Sequence, residues 1–317
     1  MSATTTTMAP AAVISHTETR CGRSGSGKFD GEAVQVVGHG RAPRRHNRPM
    51  HWPRFPRRDS EPLLHVSVDH GSGQPVVLVH GIASSGTTFV NVVPLLDPSH
   101  RVVALDLLGF GESPSPAGAR YTVEEQVDYL RRTLASLDIP RFVLVGHSLG
   151  SIVAARYAAI HRDQVRGLVL VSPPVYLPPE AFGDPQERRA MGLYLHVYDF
   201  LRRNRRFTIR NAAILARLSP IPDVLDLSER NWEAFTLSLE HSIETQTTIS
   251  DIASVTAQVE LVYGTLDPFL MPGGLRIVEQ MRHVSVHRVV GGDHLIRHRM
   301  ARVVAAAVAS VTSRAES

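Results

Sequence analysis

Five runs of this chain are apolar almost without interruption: "PVVLVHG" (75–81), "RVVALD" (101–106), "FVLVGH" (142–147), "VRGLVLVS" (165–172) and "QVELVYG" (258–264). A strand with one wet face alternates apolar and polar residues, so runs lacking a polar face must be covered on both sides. Between them stand segments of helical spacing, "TTFVNVVPLL" (87–96), "TVEEQVDYLRRTLASL" (122–137) and "SLGSIVAARYAAIH" (148–161). This alternation predicts an α/β fold, a mostly parallel sheet with helices on both faces. "LLHVSVD" (63–69) and "VSVHRVV" (284–290) add strands, and helices are expected near 273–282 and from about 295 to 312.

The rhythm breaks at "SPPVYLPPEAFGDP" (172–185), where clustered prolines end regular structure, and the following segments to about 247 read as helices without strands. We read one sheet interrupted after its sixth strand by a helical insertion over the carboxyl ends of the strands, where open α/β sheets bind ligands. The expected organisation is a core of residues 61–172 and 248–317 with a cap of residues 173–247. Residues 1–60, rich in Thr, Ser, Gly, Pro and Arg, are expected to be a disordered arm, with Met50 an alternative start. The formal charge of +4 belongs to that arm, which holds 10 Lys+Arg against 4 Asp+Glu, leaving 24 basic and 26 acidic residues elsewhere. A near-neutral body argues against nucleic acid as partner. The single cysteine, Cys21, excludes a disulfide framework within one chain. No run approaches the roughly 20 apolar residues of a membrane helix. A protein without stable membrane insertion, located in the cytoplasm, is expected; oligomeric state stays open.

"GHSLG" (146–150) joins an apolar strand to a helix. Serine needs exposure, a base and an anion site to act as nucleophile. A sharp strand–turn–helix presents Ser148 at its apex and leaves little room on either flank, which accounts for Gly146 and Gly150. The base is expected at His294, in "GGDHLI" just after the last strand. The acid is expected at Asp267, in "YGTLDPF" after strand 258–264. Asp293 adjoins His294, but chain neighbours rarely turn their side chains together, and it reads as a cap of the last helix. The oxyanion donors are expected to be the N–H groups of Leu149 and Ile82, with His80 fixing the latter's loop. His298, four residues past His294, lacks the third ligand a metal reading requires, so neither metal nor cofactor is expected.

Taken together, "HGIASS", "DLLGFGES" (106–113), "GHSLG", "GTLDP" and "GGDHL" resemble the α/β-hydrolase superfamily from about residue 62 to 312. The resemblance implies an eight-stranded sheet, a structural loop shaped by Asp106, Gly109, Gly111 and Ser113, and a cap whose apolar side chains select a small-molecule substrate. It argues against the epoxide hydrolase and haloalkane dehalogenase branches, which carry aspartate at the elbow. Ester or thioester hydrolysis of a largely apolar substrate is the leading expectation, and carbon–carbon hydrolysis of vinylogous diketones the second. A non-catalytic binding protein on the same fold is a third, disfavoured because no part of the serine machinery is missing. Phe269, Leu270, Trp232 and Tyr198 are the candidate substrate contacts, and the arginine cluster 202–206 is expected on the cap's wet face. Activity should fall as pH drops through roughly 6–7, where a histidine base protonates.

Overall fold

The computed structural model describes residues 62–177, 185–218 and 225–315. The expected arm 1–60, with Met50, lies outside them, as do parts of the expected cap. Seven strands form one sheet: β1 (Val66–His70), β2 (Gln74–Val79), β3 (His100–Leu105), β4 (Phe142–His147), β5 (Val165–Val171), β6 (Gln258–Gly264) and β7 (Val284–Val289). Their order is β1-β3-β2-β4-β5-β6-β7, with only β1–β3 antiparallel. Among the described residues the sheet therefore has seven strands rather than eight, and the helical insertion follows the fifth rather than the sixth. Every strand legible as an apolar run is present; the eighth came from the resemblance alone and has no counterpart among the described residues.

The period of two along each strand builds two cores. Val77, Val79, Val103, Leu105, Phe142, Leu144, Leu168 and Leu170 face one side, packing with helices α1 (Val123–Ser136) and α2 (Leu149–Ile160). Val76, Leu78, Val102, Ala104, Val143, Val145, Val169 and Val171 face the other, against α8 (His298–Ala315) and the turn bearing Phe89. Truncating one of the fully buried leucines, such as Leu78 or Leu144, to alanine costs about 2–5 kcal/mol. Helix α1 starts where Thr122 accepts the Glu125 N–H and the Glu125 carboxylate accepts back from Tyr121. Helix α2 is buried along most of its length, packed against both α1 and α6 (Thr248–Ser254). The expected helix at 87–96 is instead two 3₁₀ turns, Gly86–Phe89 and Val93–Leu95. Five β-branched residues crowd this segment and Pro94 has no N–H to donate, so a continuous helix is disfavoured.

Between β5 and β6 the chain forms α3 (Pro185–Arg203), α4 (Arg205–Leu218), α5 (Trp232–Ser238), a π-turn (Leu239–Ile243) and α6. Helix α7 (Pro272–Glu279) follows β6. Because β2 to β7 are parallel, their carboxyl ends share one rim, and residues 80–82, 106, 148, 172, 267 and 294 all lie just beyond it.

Candidate active site

Ser148 is held at φ 53°, ψ −120°, a conformation costing a non-glycine residue on the order of 1–3 kcal/mol. The surroundings impose it. A Cβ on Gly146 would lie 2.3 Å from the Gly150 carbonyl oxygen, and one on Gly150 would lie 2.2 Å from that of Val79. The Ser148 N–H donates to Val171 O at 3.0 Å, and the Ser151 hydroxyl donates to Gly146 O at 2.7 Å. The turn is thus pinned to β5 and to its own strand.

Gly81 abuts this serine: a Cβ there would stand 3.4 Å from the Ser148 hydroxyl oxygen. His80 is fully buried, and burial lowers its pKa against the pull of Asp106 and the Gly81 carbonyl. Its Nε2 accepts the Leu107 N–H at 2.8 Å, so Nδ1 carries the proton and donates to Gly81 O at 2.6 Å. The peptide is planar and trans, so holding the Gly81 carbonyl also fixes the direction of the Ile82 N–H. Neither the Ile82 nor the Leu149 amide donates to a described residue.

His294 and Asp267 meet as expected, with His294 Nδ1 donating to Asp267 Oδ2 at 2.8 Å. The carboxylate is inaccessible, and its Oδ1 accepts the Phe269 N–H at 2.9 Å. Burial pushes the Asp267 carboxyl up, but the His294 hydrogen bond and charge, with the Phe269 amide, bring it below its ordinary value. Two crosslinks draw these loops together: Leu266 N–H to Gly292 O at 2.8 Å and Gly291 N–H to Thr265 Oγ1 at 2.9 Å. Asp293 points elsewhere, accepting the Leu295 N–H and pairing with Arg297.

No hydrogen bond joins Ser148 Oγ to His294 in this structure; their segments are tied by His147, a residue whose part the sequence did not reveal. Its Nε2 donates to the His294 carbonyl at 2.9 Å, and the two rings lie 4.9 Å apart. Burial, with the neighbouring His294, lowers the His147 pKa to about 3 and keeps the ring neutral.

Of the expected substrate contacts, Phe269 sets its ring edge-on to His294 at 4.7 Å. The Tyr198 hydroxyl lies 2.7 Å from that of Tyr176, which donates to Phe269 O at 3.2 Å. Burial pushes Tyr198 up to about 12 and Tyr176 further, so both stay protonated donors. Tyr176, sitting in the proline-rich break, had no periodicity to signal it. Leu270 borders a cavity of about 360 Å³ that reaches Asp267 past Tyr263, Arg276 and Arg288, with neither Ser148 nor His294 in its walls. Trp232 packs on Phe235 and under Arg205, and the structure does not bring it against Ser148 or His294. His298 faces another cavity beside Asn91 and Arg302, and the described residues hold no cluster of three or more metal-ligating side chains.

The sequence profile of the α/β hydrolase fold matches residues 74–296. The chain belongs to this family. A probable lysophospholipase of Arabidopsis thaliana, BODYGUARD 3, is 38% identical over 119 residues, 36% of this chain and 24% of that protein. The 2-hydroxymuconate semialdehyde hydrolase of Pseudomonas sp. (strain CF600) is 41% identical over 106 residues, 32% of this chain and 38% of the relative. The matches thus span well under half of these curated relatives. Among solved structures, a haloalkane dehalogenase of Bradyrhizobium elkani superposes with a TM-score of 0.61 at 22% identity, covering 79% of this chain and 99% of the other. That likeness speaks for the fold. Among the described residues, no helix of this family member is long and apolar enough to cross a membrane.

Proposed function

We propose that this α/β hydrolase cleaves carboxylic ester or thioester bonds of a small, largely apolar substrate through an acyl-enzyme on Ser148. The observation that carries the reading is the 2.8 Å bond from His294 to the buried Asp267, which leaves Nε2 as the unprotonated nitrogen. In apo enzymes the bond between nucleophile and base commonly tightens only around substrate. In the proposed cycle Ser148 Oγ attacks the acyl carbon while Nε2 takes its proton. The tetrahedral oxyanion is met by the Leu149 and Ile82 N–H groups. Nε2 then protonates the leaving oxygen or sulfur as that bond breaks, and water, deprotonated by the same nitrogen, releases the acid. Asp267 stabilises the imidazolium throughout. We assign residues 173–247 as a cap over a core of residues 61–172 and 248–317, with Phe269 and Tyr198 facing substrate.

The test is a fluorophosphonate probe. A mass gain on Ser148, absent in Ser148→Ala, is expected; an unlabelled folded protein overturns the reading in favour of a binding protein. Asp267→Asn should lower turnover by roughly 10³–10⁴-fold, and Asp293→Asn far less. The opposite ranking would make Asp293 the acid. The likeness to the semialdehyde hydrolase favours a second reading, carbon–carbon hydrolysis with the same residues. A panel of p-nitrophenyl esters beside a vinylogous diketone separates the two.

A further inference from the structure

Helices α3 and α4 expose an apolar surface. Leu193, Val197 and Phe200 recur at i, i+4 and i+7 on α3, and Phe207 and Ile214 at i and i+7 on α4; these five side chains are 44–65% exposed. The Phe200 and Phe207 rings meet edge-to-face at 5.4 Å and join the two stripes. Single exposed apolar residues are ordinary, but a stripe along two consecutive helices marks a surface that meets something. The opposite face of α3 buries Met191 and Tyr198, so the stripe is turned away from the core.

Charge identifies the occupant. Residues 185–218 carry eight arginines against Glu187 and Asp199, whereas the rest of 61–317 holds 16 basic and 24 acidic residues. The body's positive charge is therefore concentrated beside its exposed apolar stripe. Some of it is neutralised: Arg203 pairs with Asp199, Arg205 with Glu229 and Arg202 with Glu244. Arg206 and Arg210 are exposed. At 3.6 residues per turn, Arg210 stands about 60° and Arg206 about 100° from Phe207, on the same side of the helix. A second copy of the chain docked through this face would set identical arginines opposite one another, which disfavours a homodimer. A pair of helices with an exposed apolar stripe edged by cations instead has the chemistry of an interfacial element.

We propose that the α3–α4 face adsorbs to anionic lipid surfaces. Leu193, Val197, Phe200, Phe207 and Ile214 enter the headgroup–acyl boundary, and Arg206 and Arg210 face lipid phosphates. The inference stands apart from the chemistry proposed for Ser148. Its test is co-sedimentation of the full chain with vesicles of phosphatidylcholine alone or with added phosphatidylglycerol, at low and high salt. Binding is expected to be stronger on anionic vesicles by about tenfold or more and to weaken with salt. Phe200→Asp/Phe207→Asp should lose it without a change in thermal midpoint, and Arg206→Glu/Arg210→Glu should lose the anionic preference. Three results would each overturn the proposal. One is no binding by the wild type; another is undiminished binding by the phenylalanine variant, which would assign it to residues 1–60. The third is a concentration-dependent dimer abolished by that variant, which would make a second copy the occupant.

Discussion

Two neutral imidazoles hold the rim of the sheet in shape, each with its proton placed by a backbone partner. His80 joins the Gly81 carbonyl to the Leu107 amide, and His147 donates to the His294 carbonyl. The His80 bonds are buried and the His147 bond partly so, and deleting one partner of a buried bond leaves the other without water, at a cost of about 1–3 kcal/mol. His147→Phe keeps a ring but loses the donor; it should lower the urea-unfolding free energy by that amount, and His147→Gln should recover part. Equal stability of Phe and wild type would mean that the bond contributes nothing. Gly150→Ala is a harsher case, because the added carbon meets the backbone oxygen of Val79, which has no side-chain freedom to yield. Fluorophosphonate labelling of Ser148 should disappear in that variant. Ser148, Asp267 and His294 were legible as candidates because each sits in a short glycine-marked motif at a strand end, and the structure brings His294 and Asp267 together. His147 occupies the variable position of its motif, and its partner is a backbone carbonyl 147 residues away, which leaves no trace in sequence.

At the level of elements, strands were legible wherever burial on both faces made them uniformly apolar. The β4 and β6 segments, read as 142–147 and 258–264, are found with those bounds. The edge strand β1, largely unburied, begins three residues later than its pattern suggested, because Leu63 and Leu64 lead into the strand rather than pair within it. The short 3₁₀ turns after β2 were misread because apolar spacing registers burial but not the hydrogen bonds Pro94 withholds. Helix α3 permits a direct measurement. Gly192 lies within it, and a Cβ there meets nothing within 4 Å. Gly192→Ala should therefore stabilise α3 by about 0.5–1 kcal/mol through reduced backbone entropy. Slower amide exchange along α3 would show it; unchanged or faster exchange would mean that the helix is limited by its packing instead.

Across the whole molecule, the buried titratable groups predict how stability responds to acid, and their signs must be combined. His80 and His147 are lowered by burial first, His161 by burial and then by the Arg131 charge. Each holds a proton less tightly in the fold than in the unfolded chain, which takes one up near the ordinary histidine value of about 6.5. Below that pH the unfolded state binds more protons, so stability falls, with a limit of about 1.4 kcal/mol per pH unit for each group. Carboxylates enter lower. Asp106 and Asp267 end below their ordinary values, although burial opposes the shift, and their contribution is lost as pH falls through their folded values. Glu244 and Asp251 are raised by burial, so their protonation favours the fold and counters that loss. His147, lowered to about 3, therefore contributes across the interval from about 6.5 down to the carboxyl range, and His80 and His161 add to the loss below 6.5. Urea unfolding should show free energy declining across that interval, and the slope should be shallower in His147→Gln, which has no proton to gain there. A flat profile in the wild type would mean that these imidazoles are reached by water and protons in the folded protein, and that their neutrality does not hold the rim together.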